Sequence, residues 1–372
     1  MKWIDRQDAL DAALARVGAQ SEIAVDTEAD SLHSYFDKVC LVQISLPDED
    51  LIVDPLAGIN LSKFGEVLAN PAVTKIFHGG DYDLRIMNRD FNFTVRNLVD
   101  TSVCAQLLGY EGIGLAALLD RHFGLKLNKT HQRADWSMRP LPPDMLEYAS
   151  TDTHYLAALA AKLREELVAL GRWEWALEEF ARLENVRYKE SEDDGESWRK
   201  VKNIGALDRR SLAIVRDLYR WRDALARKAD RPPFKVLGND ALVELARVKP
   251  PSLRELAAVK GLPRYHVDRY GRELVNLIRR AMEIPEAELP EKNEPKPWIR
   301  DKALEGRIER LKRVRDKFAK ELKIDGSVLA PRHILAAVAT TGSLDAPAMR
   351  EWQKKLLGDA FLDALKPEAK LF

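Results

Sequence analysis

Cysteine is nearly absent, with only Cys40 and Cys104 in 372 residues. Both lie in apolar sequence, with no histidine or second cysteine at metal spacing. This predicts buried reduced thiols and excludes a disulfide framework or a thiolate metal site. Long apolar runs are missing too. No stretch approaches the ~20 residues of a membrane helix, and Asp5, Asp8 and Asp11 sit where a secretory signal would be apolar. A cytoplasmic protein without membrane contact is expected. Net charge is also lacking, with 59 Lys+Arg against 59 Asp+Glu. What is present is a globular mixture, 46% hydrophobic and 32% charged, which excludes a disordered chain. At roughly 100 to 200 residues per domain, the length implies two or three domains.

The zero balance conceals a division. Residues 1–200 hold 22 Lys+Arg against 34 Asp+Glu, and residues 201–372 hold 37 against 25. An acidic half suits cations, and a basic half suits a polyanion. Short β-branched runs at 21–26, 39–45, 51–54 and 75–78 predict strands of a mixed α/β sheet. From Leu115 onward the pattern is helical. Residues 189–200 form an acidic boundary segment, and 284–298, with four prolines, reads as a linker. Two helical segments flank that linker and resemble each other at an offset of 93: Arg222-Asp223 with Arg315-Asp316, Ala226 with Ala319, Val236 with Leu329, Leu242 with Leu335, Ala246 with Ala339. A duplicated helical domain accounts for this.

Chemistry concentrates in the acidic half. Asp26 and Glu28 follow an apolar run, and positions i and i+2 of a strand project to one face. Two such carboxylates repel unless a cation lies between them, and all-oxygen ligation suits Mg²⁺ or Mn²⁺. Asp81 and Asp83 follow another strand after the Gly79-Gly80 turn, and sequence physics leaves the choice between them open. Tyr148 and Asp152, four apart on a predicted helix, line one face. Lys129, Gln132 and Trp136, before that helix, are suited to phosphate contact and base stacking. In the basic half, Arg279-Arg280 and Lys312-Arg313 are placed to hold a polyanion by its phosphates.

In this order, D-x-E on a strand, an acid after a second strand and Y-x-x-x-D on a helix resemble the three motifs of the DEDD exonucleases. Asp26-Thr27-Glu28, Val42-Gln43-Ile44, His78-Gly79-Gly80-Asp81-Tyr82-Asp83, Asp135-Trp136-Ser137-Met138-Arg139 and Tyr148-Ala149-Ser150-Thr151-Asp152 narrow the resemblance to the ribonuclease D family, over residues 20–160. The resemblance selects Asp83 over Asp81, and the tyrosine four residues before Asp152 marks the DEDDy branch. The helical segments resemble HRDC modules, the first more closely, through Arg231-Pro232-Pro233-Phe234 and Tyr270-Gly271.

The resemblance implies a ribonuclease-H-like mixed-sheet exonuclease domain at 1–200, an HRDC domain at 206–286 and a divergent second one at 297–372. It implies Asp26, Glu28, Asp83 and Asp152 as ligands of two divalent ions, Tyr148 as the residue that orients the attacking water, and Gln43, His78 and Arg139 among the substrate contacts. The expected activity is 3′-5′ exoribonucleolytic trimming of structured RNA such as transfer-RNA precursors, releasing nucleoside 5′-monophosphates, by a monomer. A DNA exonuclease on the same fold and an inert RNA-binding scaffold are the alternatives.

Overall fold

The computed structural model describes residues 1–127, 130–190, 195–292, 301–345 and 349–366. Lys129 and residues 293–298 of the proline-rich linker lie outside them. Among the described residues, six strands form one sheet: β1 (Lys2–Ile4), β2 (Glu22–Ala29), β3 (Val39–Ser45), β4 (Asp50–Val53), β5 (Thr74–Phe77) and β6 (Leu98–Asp100). Their order is β1-β4-β3-β2-β5-β6. Strands β2, β3 and β4 pair antiparallel, while β1 on β4, β5 on β2 and β6 on β5 are parallel. All seven residues of β3 are buried, which explains its unbroken apolar run: both faces of the central strands are covered. The two strands the sequence did not suggest, β1 and β6, have three residues each and lie at the sheet edges, too short to show a period.

Among the described residues, eight helices accompany the sheet: α1 (Gln7–Val17), α2 (Ser62–Ala69), α3 (Asp81–Phe91), α4 (Thr101–Leu108), α5 (Leu115–Phe123), α6 (Pro143–His154), α7 (Leu156–Ala169) and α8 (Trp173–Leu183). Helix α6 opens with Pro143 at its first position, where the missing N–H costs nothing and the fixed φ suits a helix.

Two compact units are present. One is built from residues 30–37 and 189–292 and contains α9 (Arg209–Lys228), α10 (Pro233–Val236), α11 (Asn239–Val248), α12 (Leu253–Leu256) and α13 (Arg264–Glu283). Its core, which includes Trp198, Leu218, Leu242, Leu274 and Ile278, is its own. Loop 30–37 is fastened within it. The Tyr35 hydroxyl donates to Asp223 at 2.9 Å, and the amides of Tyr35 and Phe36 donate to Asp230 at 3.0 and 3.1 Å.

The other unit joins residues 1–29 and 38–188 to the C-terminal segment, which folds as α14 (Lys302–Leu322), α15 (Gly326–Leu329), α16 (Arg332–Thr341) and α17 (Glu351–Leu365). Leu311, Leu335, Trp352 and Phe361 belong to the same core as Leu107, Leu163 and Phe180. Trp352 stacks on Trp175 at 4.7 Å and 13°. The Arg172 guanidinium donates to the carbonyls of Leu107 (2.9 Å) and Leu322 (2.7 Å), tying two helix C-termini together. Gly109, at φ +79°, lies so close that an added Cβ would stand 1.8 Å from the Lys323 carbonyl oxygen.

The 93-residue offset holds in detail. Helices α10 and α15, and α11 and α16, begin and end at matching positions. Asp208 caps Ser211 N as Asp301 caps Leu304 N, and the Arg222 bond to Leu237 O (2.9 Å) recurs as Arg315 to Ala330 O (3.1 Å). Side-chain caps of this kind fix where a helix starts, so both segments carry the same punctuation.

Candidate active site

Strand β2 places Asp26 and Glu28 on one side of the sheet, opposite Gln43 and Leu41 of β3. Asp83 follows β5 and the Gly79-Gly80 turn, as the sequence suggested, and sits in the first turn of α3. The turn before it is shaped by Gly79, at φ +69°, and by Gly80, whose added Cβ would press on Phe77 at 2.9 Å. Asp100 locks this turn, accepting from the amides of Gly79 (3.1 Å) and Gly80 (2.8 Å) while capping α4 through Ser102 and Val103. Thr27 then donates a short hydrogen bond to Asp83. Tyr148 and Asp152 lie one turn apart on α6, and the phenol donates to the Asp152 carboxyl.

Carboxylate oxygens of Asp26, Glu28 and Asp152 lie within 4.8 Å of one another. Asp83 is buried and acts electrostatically on both Asp26 and Glu28. Asp81 is more than half exposed and paired with Arg85 at 2.7 Å, so it takes no part in the cluster.

Crowding and burial show in the acidities. Burial first, then the charges of Asp83, Glu28 and Asp152, hold Asp26 well above the carboxylate range. Burial and then Asp152 and Asp83 push Glu28 to about 9. Burial raises Asp152 to about 7 against the Tyr148 hydrogen bond, and raises Asp83 to about 6 against the Thr27 donor. Groups held this close cannot all ionise at neutral pH without a counter-charge. The donor set is all hard oxygen, so it fits a divalent cation of the Mg²⁺ or Mn²⁺ kind.

A cleft of about 460 Å³ opens beside the cluster, lined by Leu125, Leu127, His131, Glu147, Tyr148 and Asp152 among others. His131 pairs with Asp144 at 3.1 Å and meets the Tyr148 ring edge-on at 5.9 Å. Sequence reasoning missed this histidine pair, as it missed the roles of Thr27 and Asp100. Thr27 carried a signal, a hydroxyl set between two acids.

Several expected substrate contacts are placed elsewhere. Trp136 is 1% exposed, packed with Met145, Ala149 and Ile52 and 6.0 Å from the Tyr148 ring, so it fills the core behind the site and offers no face for stacking. Arg139 is spent on Asp54 through bonds of 2.7 and 2.6 Å, and on the carbonyls of Trp136, Met138 and Cys40. It is a structural clamp, not a phosphate ligand. Gln43 is 0% exposed and cannot reach RNA. His78 is half-buried with Nδ1 2.9 Å from Thr101 Oγ1, and burial lowers its pKa. Gln132 is exposed. In the basic half, Arg279, Arg280, Lys312 and Arg313 are exposed.

A mixed sheet with a half-buried acidic cluster at β2, α3 and α6 defines a 3′-5′ exonuclease domain, here joined to helical modules. Comparison with known proteins agrees. A family profile described as 3′-5′ exonuclease matches residues 1–168, and the HRDC domain profile matches 211–278. The chain is 31% identical over 355 residues to ribonuclease D of Nitrobacter hamburgensis, covering 95% of this chain and 91% of that protein. The crystal structure of Escherichia coli RNase D, described as an exoribonuclease involved in structured RNA processing, superposes with TM-score 0.70 at 28% identity, covering 98% of each chain. A protein from Bifidobacterium adolescentis superposes with TM-score 0.84 at 26% identity, covering 99% of this chain and 97% of that one. The chain belongs to the ribonuclease D family of 3′-5′ exoribonucleases. Among the described residues, no helix is long and apolar enough to cross a membrane.

Proposed function

We propose that the protein trims the 3′ ends of structured RNA, transfer-RNA precursors among them, using two divalent cations, Mg²⁺ or Mn²⁺, held by Asp26, Glu28, Asp83 and Asp152. The meeting of three carboxylates within 4.8 Å, beside a cleft that ends at Tyr148 and Asp152, carries this reading. Two divalent ions held by these four carboxylates would supply an acidified water and charge neutralisation at the attacking and leaving oxygens. The chain's own part is to hold the acids in register: β2 sets Asp26 and Glu28, Thr27 orients Asp83, and α6 presents Asp152. Burial drives the Tyr148 phenol further above its ordinary range, with the Asp152, Glu28 and Asp26 charges adding to it. It therefore stays protonated and acts as a donor that orients water and phosphate, not as a general base.

The repeated helix boundaries, caps and arginine bond support reading residues 301–366 as a second, divergent HRDC-like module. A cytoplasmic monomer completes the proposal, the latter checked by sedimentation. The test of the activity is a 5′-labelled RNA with a structured body and a single-stranded 3′ tail, incubated with Mn²⁺. The tail shortens stepwise from its 3′ end, with nucleoside 5′-monophosphates released. EDTA or Asp26→Asn abolishes the reaction, and a DNA of the same sequence is cut more slowly. Rapid DNA trimming with RNA untouched would overturn the substrate assignment.

A further inference from the structure

We infer that Gln43 is a positioning residue for the acidic centre, its carboxamide holding the Asp26 carboxylate in the orientation a divalent cation requires. The inference rests on the metal-dependent reading above. In the β2–β3 pair Asp26 stands directly opposite Gln43, and Gln43 stands opposite Ile52 of β4. Cross-strand partners project to the same face with Cβ atoms about 4.5–5.5 Å apart, so the amide and the carboxylate are neighbours on one surface of the sheet. That surface is covered by α6, as the bond from Ser45, two residues along β3, to Thr153 shows (2.7 Å).

Gln43 is 0% exposed, and neither Nε2 nor Oε1 has a hydrogen-bond partner among the described residues. An amide left unpaired in the interior is unfavourable, and such orphans call for an explanation. Ile52, Leu41, Met145 and Ala149 supply no polar partner; they form an apolar cluster with Trp136, whose Nε1 is also unpaired. A leucine would suit this environment better. The one complementary group that strand pairing sets beside the amide is Asp26, which accepts a backbone bond from Thr27. A carboxylate that serves as a cation ligand keeps lone pairs that need a donor, and the unpartnered Gln43 Nε2–H group on the same face of the sheet meets that need. Groups behind a ligand that fix its orientation change metal affinity or activity by roughly 10- to 100-fold when removed.

The experiment is a calorimetric titration of the full chain with Mn²⁺, without RNA, for wild type, Gln43→Leu and Asp26→Asn, with melting curves for each. Gln43→Leu is expected to melt at or above the wild-type temperature yet bind Mn²⁺ roughly 10- to 100-fold more weakly, with RNA trimming at limiting Mn²⁺ reduced in step and recovered at high Mn²⁺. A purely structural glutamine would not separate stability from metal affinity in this way. Should Gln43→Leu fail to fold, Gln43→Met, unbranched and of similar length, supports the same two measurements. Wild-type Mn²⁺ affinity in the leucine or methionine variant overturns the inference while leaving the site intact. Undiminished Mn²⁺ binding by Asp26→Asn would overturn the reading of the site itself, and the inference with it.

Discussion

The two helical repeats begin their helices at matching positions, cap α9 and α14 with the equivalent residues Asp208 and Asp301, and bend an arginine onto the same carbonyl. They bury themselves differently. The first closes a core of its own around Leu242 and Leu274. The second shares its core with the exonuclease sheet and helices, where Glu178 of α8 accepts from the amides of Glu351 and Trp352 at the start of α17 (2.7 and 3.0 Å) and Arg350 pairs with Glu179 at 2.8 Å. A carboxylate at a helix N-terminus is favourable by dipole and hydrogen bond together. The lesson is that caps and apolar period specify the module, while a few interface residues decide whether it stands alone or completes another domain.

The largest effect should come from matched core lesions. Leu335→Asp and Leu242→Asp each bury an unpaired charge at equivalent positions, at a cost of about 4 kcal/mol or more. The first should abolish cleavage of even a short single-stranded oligonucleotide, because it opens the exonuclease core. The second should leave that cleavage within several-fold while weakening retention of folded RNA on a gel. Equal loss of cleavage in both would mean that the unit containing loop 30–37 governs Glu28, seven residues before Tyr35 in the chain.

Glycine pairs sharpen the contrast at lower cost. Gly109→Ala must adopt φ +79° and also displace the Lys323 carbonyl, so denaturant unfolding should show a loss of about 4 kcal/mol. Gly261→Ala in the first repeat, at φ +82° with open space around its Cβ position, should lose only about 1–2 kcal/mol. Similar losses would mean that the 109–323 approach is not a tight contact in solution.

A third, smaller effect belongs to the acidic cluster. Glu28 holds its proton in the folded chain to about pH 9, against 4.5 in its unperturbed state. Stability linked to it is therefore complete below about pH 4.5 and is lost as pH rises through about 9. Asp152 and Asp83 add losses through about 7 and 6. Melting temperature in EDTA should fall between about pH 5 and 9, and saturating Mn²⁺ should flatten that fall. An EDTA curve that rises with pH would contradict the crowding of these acids. The smallest effect is expected of Arg280→Gln, which should reduce the salt slope of RNA binding by about one phosphate contact with unchanged stability.

Much of this was legible in advance, for identifiable reasons. Strands β2 to β5 show themselves through β-branched runs, the D-x-E and Y-x-x-x-D spacings follow from strand and helix periodicity, and the 93-residue offset is visible letter by letter. What sequence could not settle was environment. Trp136 and Arg139 look like RNA ligands as residue types, but burial and the Asp54 pair bind them to the core. Gln43 reads as one polar letter in an apolar strand, and only the register shows it opposite Asp26. Residue types alone left Asp81 and Asp83 open, and it was the resemblance that selected Asp83; the shared core of the second repeat depends on Trp175, Arg172 and Gly109, which carry no mark of their partners.

The claim that everything else serves is that Asp26, Glu28, Asp83 and Asp152 together capture divalent cations. Anomalous diffraction from crystals of the full chain grown with Mn²⁺ tests it most directly. The account predicts manganese peaks in contact with these four carboxylates and lost in Asp26→Asn. Manganese absent from the cluster, or bound only at other acidic residues, would contradict it.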